Sequence, residues 1–378
     1  MKQALLVMLA ALLIAACNTD DDGVGIVVTA DFTANQSSVE AGSSIDFTDL
    51  STGEPTSWNW TFEGGEPATS TEQNPTVNYA NPGTYEVSLT AANGGVEDTE
   101  KKEGFITITE PPVETGLFDE AIMHDGLERE YLLYIPDSYT GQESVPLVFS
   151  LHGAVGSKEN QFELSQFDEI ADQENFILVT PEATVPNLVT YWNNESNPIR
   201  ADDVGFINAL IDLMVDRYNI DANRVYCAGS SNGAYMCLQL ACELSDKIAA
   251  VAAVKGYMND TQLSNCNPTN PTPILQLHGT DDNLVSYDGV EATIQFWRDF
   301  NQTDLNPTII ELDDPDPNNG NSVTYFLLDN GLEGTTIEHF RVQGGEHDWF
   351  GEPGTNYDID ATVEAWKFFE KFDLNGRR

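Results

Sequence analysis

Two hydrophobic rhythms divide the chain. From residue 27 to about residue 109, apolar and polar positions alternate in short runs: Trp58, Trp60 and Phe62 make one, and Tyr85, Val87 and Leu89 another. A period of two marks a strand with one buried face. The Asn81-Pro82-Gly83 cluster punctuates the approach to the second run. Roughly 80 residues of this pattern predict a small all-β sandwich of the immunoglobulin type. Its alternating aromatics are expected to face the core.

The rhythm changes after Glu110-Pro111-Pro112-Val113-Glu114, which sits in a stiff linker over 110–116. From 117 to 378, continuous apolar runs at 147–151, 176–180, 225–228, 249–254 and 274–277 predict strands covered on both faces. Two leading strands, at 118–123 and 129–135, precede them, and a late one lies at 336–342. Helical stretches intervene. The clearest starts at Asp202-Asp203 and places Val204, Ile207, Ile211, Met214 and Tyr218 on one face. The acidic pair suits the positive end of the helix dipole. Strands alternating with helices predict an α/β domain with a mainly parallel sheet.

The first 26 residues have a different character. Lys2 precedes an apolar run over 4–16, which meets Cys17 and then a polar tether over 17–26. The run is too short to span a bilayer and has the layout of a signal peptide over 1–16. Ile14-Ala15-Ala16-Cys17 resembles the bacterial lipobox, which implies a lipid on Cys17. Asn18-Thr19-Asp20-Asp21-Asp22 resembles the acidic export signal of Bacteroidetes surface lipoproteins. The expected location is therefore secreted, on the outer membrane or cell surface.

Charge narrows the partners. With 16 Lys+Arg against 62 Asp+Glu, the formal net charge is −46. Such a chain has little with which to neutralise phosphates, so nucleic acid is excluded as a partner. Four cysteines follow Cys17 in what would be an oxidising compartment. Cys227, within an apparent strand, and Cys237, within the next helix, read as plain core residues. Cys242, ending that helix, and Cys266, in the loop before the next strand, are expected to form a disulfide.

The candidate chemistry centres on Gly229-Ser230-Ser231-Asn232-Gly233, a G-x-S-x-G pattern. It follows the strand Arg224-Val225-Tyr226-Cys227-Ala228 and precedes the helical stretch 234–242. That strand–turn–helix setting is the one that exposes a serine hydroxyl as a nucleophile. The turn also brings the Asn232 backbone N–H to a helix N-terminus, where it can stabilise a developing oxyanion. A second donor is expected after the strand at 147–151, where His152-Gly153-Ala154 supplies the Ala154 N–H. His152 is read as holding that loop, not as a base.

A serine hydroxyl needs a base, and the chain has 5 histidines. His124 follows a leading strand, His152 and His278 end strands, and His339 lies within one. His347 sits past the last strand, in Gly344-Gly345-Glu346-His347-Asp348-Trp349. The order serine, acid, histidine is that of α/β-hydrolases. The acid should follow the strand at 274–277, where Asp281 and Asp282 both qualify by position; its task is to fix the tautomer of His347 and stabilise its protonated form.

Two resemblances sharpen these expectations. Residues 27–109 resemble a PKD domain through Ala30-Asp31-Phe32, Ser57-Trp58-Asn59-Trp60-Thr61-Phe62, Asn74-Pro75 and Pro82-Gly83-Thr84-Tyr85-Glu86-Val87. Such modules imply a spacer or a carbohydrate-adhesion unit. Residues 117–373 resemble the polyhydroxybutyrate depolymerase/feruloyl esterase group of α/β-hydrolases. The carriers are Tyr131-Leu132-Leu133-Tyr134-Ile135-Pro136, Leu151-His152-Gly153, Asp202-Asp203-Val204-Gly205-Phe206-Ile207, the serine motif, His278-Gly279-Thr280-Asp281-Asp282 and Gly344-Gly345-Glu346-His347-Asp348-Trp349.

This second resemblance implies a triad of Ser231, Asp282 and His347 and supports the Cys242–Cys266 pairing. Two departures bear on substrate choice: Ala234 and Glu346 stand where glycines are usual. The implied activity is hydrolysis of feruloyl or acetyl esters on polysaccharides, through an acyl-enzyme and without metal or cofactor, in a monomer. Polyhydroxyalkanoate hydrolysis, or surface adhesion by an inert hydrolase scaffold, are the alternatives. Trp192 and Trp349 are candidates to line an aromatic-accepting cleft. The acidic loop 313–321 lacks the spacing of a calcium loop and is expected to be solvated.

Overall fold

The computed structural model describes residues 27–184, 189–315 and 317–378. Cys17, the leader and the tether lie outside these residues. The chain divides into two compact units, 1–112 and 113–378.

The first unit is a sandwich of two sheets. Its strands are β1 (Phe32–Ala34), β2 (Ser38–Glu40), β3 (Ser43–Asp49), β4 (Ser57–Phe62), β5 (Thr69–Ser70), β6 (Thr76–Tyr79), β7 (Gly83–Asn93) and β8 (Val96–Thr109). One sheet runs β1-β3-β6 and the other β2-β8-β7-β4-β5. Phe32, Phe47, Trp60, Phe62, Val77 and Tyr79 meet between them. The alternation in β4 does what its period requires. Trp60 and Phe62 are buried, Ser57, Asn59 and Thr61 are exposed, and Trp58 is half-buried with its indole N–H donating to Asp49 Oδ2 at 2.7 Å.

The second unit is built on a ten-stranded sheet. Its strands are β9 (Gly116–His124), β10 (Leu127–Ile135), β11 (Val145–Leu151), β12 (Ile177–Pro181), β13 (Ile220–Ser230), β14 (Ala250–Val254), β15 (Ile274–Gly279), β16 (Thr308–Glu311), β17 (Ser322–Leu328) and β18 (Ile337–Gln343). The order is β16-β17-β18-β15-β14-β13-β11-β12-β10-β9. Neighbours from β12 to β18 pair in parallel, while β9–β10, β10–β12, β16–β17 and β17–β18 pair antiparallel. A small hairpin of β19 (Phe372–Asp373) and β20 (Gly376–Arg377) ends the chain.

Helices cover both faces. They are α1 (Lys158–Ser165), α2 (Phe167–Glu174), α3 (Asp203–Arg217), α4 (Asn232–Glu243), α5 (Asp260–Asn265), α6 (Val290–Asn301) and α7 (Ala361–Phe369). On one face Leu147, Phe149, Val225 and Val251 pack with Phe206, Met236 and Trp297. On the other, Val148, Tyr226 and Ala252 pack with Phe167, Trp366 and Phe369. Because both sides are covered, the central strands must be apolar at successive positions, and this is why they read as unbroken runs. As expected from its acidic start, α3 is capped by Asp202, whose Oδ1 accepts the Gly205 N–H at 2.9 Å.

Two features depart from the sequence reading. The described residues of the loop 313–321 are largely exposed, as expected, but they lie between β16 and β17, an antiparallel pair with no counterpart among the expected strands. Cys227 and Cys237 are not separate core thiols. They form a disulfide, with Cα atoms 5.8 Å apart, alongside the anticipated Cys242–Cys266 bond at 5.1 Å. The reason is geometric: β13 turns directly into α4, so their facing sides converge close to the turn.

Candidate active site

The site forms where β11, β13, β14 and β15 end on the same edge of the sheet. β13 runs into a sharp turn and emerges as α4. Ser231 occupies the turn with φ +52° and ψ −116°, a region that non-glycine residues rarely adopt. Its N–H donates to Val254 O at 2.9 Å. Gly233 makes the turn possible, because a Cβ there would fall 2.3 Å from Leu151 O at the end of β11. The tight crossing leaves Ser231 half-buried at the start of α4. The first N–H groups of a helix lack intrahelical acceptors, and Asn232 supplies the first of them here.

The loop after β11 lies against this turn, since a Cβ on Gly153 would stand 3.3 Å from Ser231 Cβ. Ala154 follows in the same loop and lines the cleft with Ser231. His152 holds the loop from beneath. Its Nδ1–H donates to Gly153 O at 2.7 Å, and its Nε2 accepts the Ala183 N–H at 3.0 Å. Both ring nitrogens are occupied, and burial pulls its pKa down. The imidazole is thereby kept neutral as a brace.

Asp282 and His347 come together from loops 65 residues apart, with Nδ1 to Oδ2 at 2.6 Å. Asp282 is buried at the end of the β15 loop, where its Oδ1 accepts the N–H groups of Leu284 at 2.9 Å and Val285 at 2.8 Å. Burial pushes its pKa up, but the Val285 N–H, His347 and the Leu284 N–H outweigh that and hold it below the ordinary carboxyl range. Asp281, the other positional candidate, is exposed and accepts only the Thr280 hydroxyl among the described contacts of its side chain. His278, next to last in β15, lies 3.3 Å from Asp282 Oδ2 and donates through Nε2 to Val285 O at 2.8 Å. It supports the acid's loop, a role that its place at a strand end did not disclose.

Ser231 and His347 line one cavity of about 440 Å³, together with Ala154, Lys255, Leu284 and Val285. Lys255 was missed by sequence reading. It immediately follows β14 and its Nζ donates to His347 O at 3.1 Å. The available signal was that it is the one charged residue between 249 and 259. Glu346 is exposed on the loop before His347 and does not line the cavity.

Neither proposed aromatic lines the cleft. Trp192 is fully buried; its indole N–H donates to His152 O at 2.9 Å and its backbone N–H to Asn232 Oδ1 at 2.7 Å. Trp349 is also buried, edge-on to Phe167, with its indole N–H on Thr362 Oγ1 at 2.9 Å. The large apolar area of an indole, once its N–H has a partner, is better satisfied in the core. Among the described residues, no group of three or more His, Cys, Asp or Glu is arranged to hold a metal ion.

Comparison with known proteins agrees with this architecture. Residues 29–102 match the PKD domain, and residues 162–314 match the family described as Phospholipase/Carboxylesterase. The chain is 26% identical over 255 residues to a bifunctional acetylxylan esterase/xylanase of Neocallimastix patriciarum, covering 66% of this chain and 34% of that protein. It is 31% identical over 163 residues to feruloyl esterase B of Piromyces equi, covering 43% and 30%. With feruloyl esterase D of Neurospora crassa it shares 26% over 263 residues, covering 66% and 84%. The chain thus spans about a third of the length of the first two relatives. Among solved structures, an acetyl xylan esterase from Aspergillus awamori superposes with a TM-score of 0.52 at 15% identity, over 68% of this chain and 99% of that one. The first unit is a PKD domain and the second has the α/β-hydrolase fold.

Proposed function

From a PKD domain joined to an α/β-hydrolase domain that matches carboxylesterases, we propose that the chain is an extracellular serine esterase that cleaves feruloyl or acetyl esters of polysaccharides. The observation that carries this reading is the 2.6 Å bond between His347 Nδ1 and the buried Asp282, with the same imidazole facing the cavity that holds Ser231. A carboxylate on Nδ1 directs Nε2 to act as the base. Extracellular action is supported by the two disulfides.

In this mechanism His347 Nε2 takes the Ser231 proton as Oγ attacks the ester carbonyl. The negative charge that develops on the carbonyl oxygen is met by the N–H groups of Asn232 and Ala154. Asp282 stabilises the imidazolium. The bond to the alcohol breaks, and His347 returns the proton to the departing oxygen. Water, deprotonated by the same imidazole, then attacks the acyl-serine; the bond to Ser231 Oγ breaks, His347 returns the proton to Oγ, and the acid leaves. The polysaccharide ester as substrate is supported by the names of the related esterases. Hydrolysis of p-nitrophenyl acetate by the wild type, abolished in Ser231→Ala, tests the enzymatic reading. A panel of methyl ferulate, acetylated xylan and polyhydroxybutyrate tests the substrate, and turnover of the polyester alone would replace it. A well-folded wild type inert toward every ester would overturn the proposal.

A further inference from the structure

Lys255 is an outlier among the described lysines. Lys101, Lys102, Lys158, Lys247, Lys367 and Lys371 each sit on a carboxylate. This is the expected outcome where 62 acidic residues face 16 basic ones. Lys255 forms no ion pair among the described residues, although only 8% of its surface is exposed. Among the described residues, its ammonium's one hydrogen bond goes to a neutral carbonyl, His347 O. A buried ammonium without a counter-ion is costly. Burial pulls its pKa down, with Glu352, Asp348 and Asp282 opposing from a distance. Those three carboxylates are already engaged, with the Trp349 N–H, the Tyr357 hydroxyl and His347 respectively.

Its backbone gives an independent sign. Lys255 has φ +50°, a conformation that glycine would adopt without strain. Position explains what the side chain reaches. Val254 O accepts the Ser231 N–H, and a Cβ on Gly256 would lie 2.7 Å from Ser231 O, so Lys255 is bracketed by residues that touch the serine backbone. Lys255 lines the cavity shared by Ser231 and His347, whose wall contains no Asp or Glu and no other Lys or Arg. The molecule carries a charge of −46, yet that wall holds no carboxylate.

We propose that Lys255 is a specificity-determining residue that binds a carboxylate carried by the substrate, so that the cleft selects acidic esters, such as those of uronate-bearing sugars, over neutral esters of the same size. The inference rests on the serine-esterase reading above. A substrate carboxylate supplies the missing counter-ion, and pairing favours the charged form of the lysine against its burial. The field of the whole chain repels anions; the local cation is what admits one class of them.

The test uses matched pairs: 4-acetoxybenzoate against methyl 4-acetoxybenzoate for a carboxylate on the alcohol side, and monomethyl succinate against methyl butyrate for one on the acyl side. In at least one pair, the anionic-to-neutral ratio of kcat/KM should fall roughly 10- to 100-fold in Lys255→Met. The fall should come through KM, and Lys255→Arg should restore most of it. Lys255→Gly, which suits the positive φ, serves if the methionine variant does not fold. An unchanged ratio in both pairs overturns the proposal, as does an equal kcat loss on all four esters, which would make Lys255 only a prop for the His347 loop. Calorimetric binding of the same four compounds to Ser231→Ala, with and without Lys255→Met, separates the two readings. Lys255-dependent anion binding without any wild-type hydrolysis would sink the esterase reading alone, whereas hydrolysis indifferent to Lys255 would sink this one alone.

Discussion

Trp192 and Asn232 are tied by a 2.7 Å hydrogen bond from the tryptophan backbone N–H to the asparagine Oδ1, while the same tryptophan's indole N–H holds His152 O at 2.9 Å. One buried residue thus fixes both loops that carry the candidate oxyanion donors. Trp192→Phe keeps an aromatic ring, though a smaller one, and the backbone bond, but orphans His152 O. It should destabilise the fold by about 1–3 kcal/mol, and kcat should fall while KM stays near wild type. Urea midpoints together with steady-state kinetics check this. A fall in KM-dependent affinity alone, with kcat intact, would return Trp192 to the substrate-binding role that its burial denies.

Asp282 and Asp281 are adjacent but differ in every property that matters for an acid in a triad. The first is buried and bonded to His347, and the second is exposed. Asp282→Asn should lower kcat roughly a thousandfold or more, because the amide can present its N–H to Nδ1 and select the wrong tautomer. Asp281→Asn should stay within about threefold of wild type, as surface substitutions usually do. Parallel assays of the two variants on p-nitrophenyl acetate decide it, and a reversed order would reassign the acid.

Gly233→Ala should abolish activity and cost about 1–3 kcal/mol or more. The added methyl would meet Leu151 O at 2.3 Å and His152 O at 2.6 Å, both backbone atoms that cannot swing aside. The serine turn would have to lift from β11, taking Ser231 away from the loop that holds Ala154. Thermal melts and single-turnover assays report the two effects separately. Full activity would show that the turn tolerates the displacement.

His339 makes stability sensitive to acid. It lies inside β18, with Nδ1–H on Gln276 O at 3.0 Å and Nε2 accepting the Tyr287 hydroxyl at 2.8 Å. Burial pulls its pKa from 6.5 to about 4. Between those values the unfolded chain binds a proton that the folded chain refuses. The stabilisation is therefore complete above pH 6.5 and is lost as the pH falls toward about 4. Over that window the loss amounts to about 3 kcal/mol. Urea unfolding at about pH 7.5 and about pH 4.5 should show a clearly smaller drop in His339→Gln than in wild type. Equal drops would place the acid sensitivity elsewhere.

Much of this molecule follows from local pattern. The alternation of β4 and the unbroken apolar runs of β11, β13, β14 and β15 reflect which faces are covered, and coverage leaves its mark residue by residue. The setting of Ser231 is equally local, since strand, turn and helix are contiguous. Tertiary structure alone decided the remainder. It chose between Asp281 and Asp282, because neighbours in sequence part company only when one is enclosed. It paired Cys227 with Cys237, sent Trp192 and Trp349 inward, and left Lys255 without a carboxylate. Each of these depends on which distant segments meet around a side chain. Burial and partner distance belong to the folded arrangement, and no window of neighbouring residues contains them.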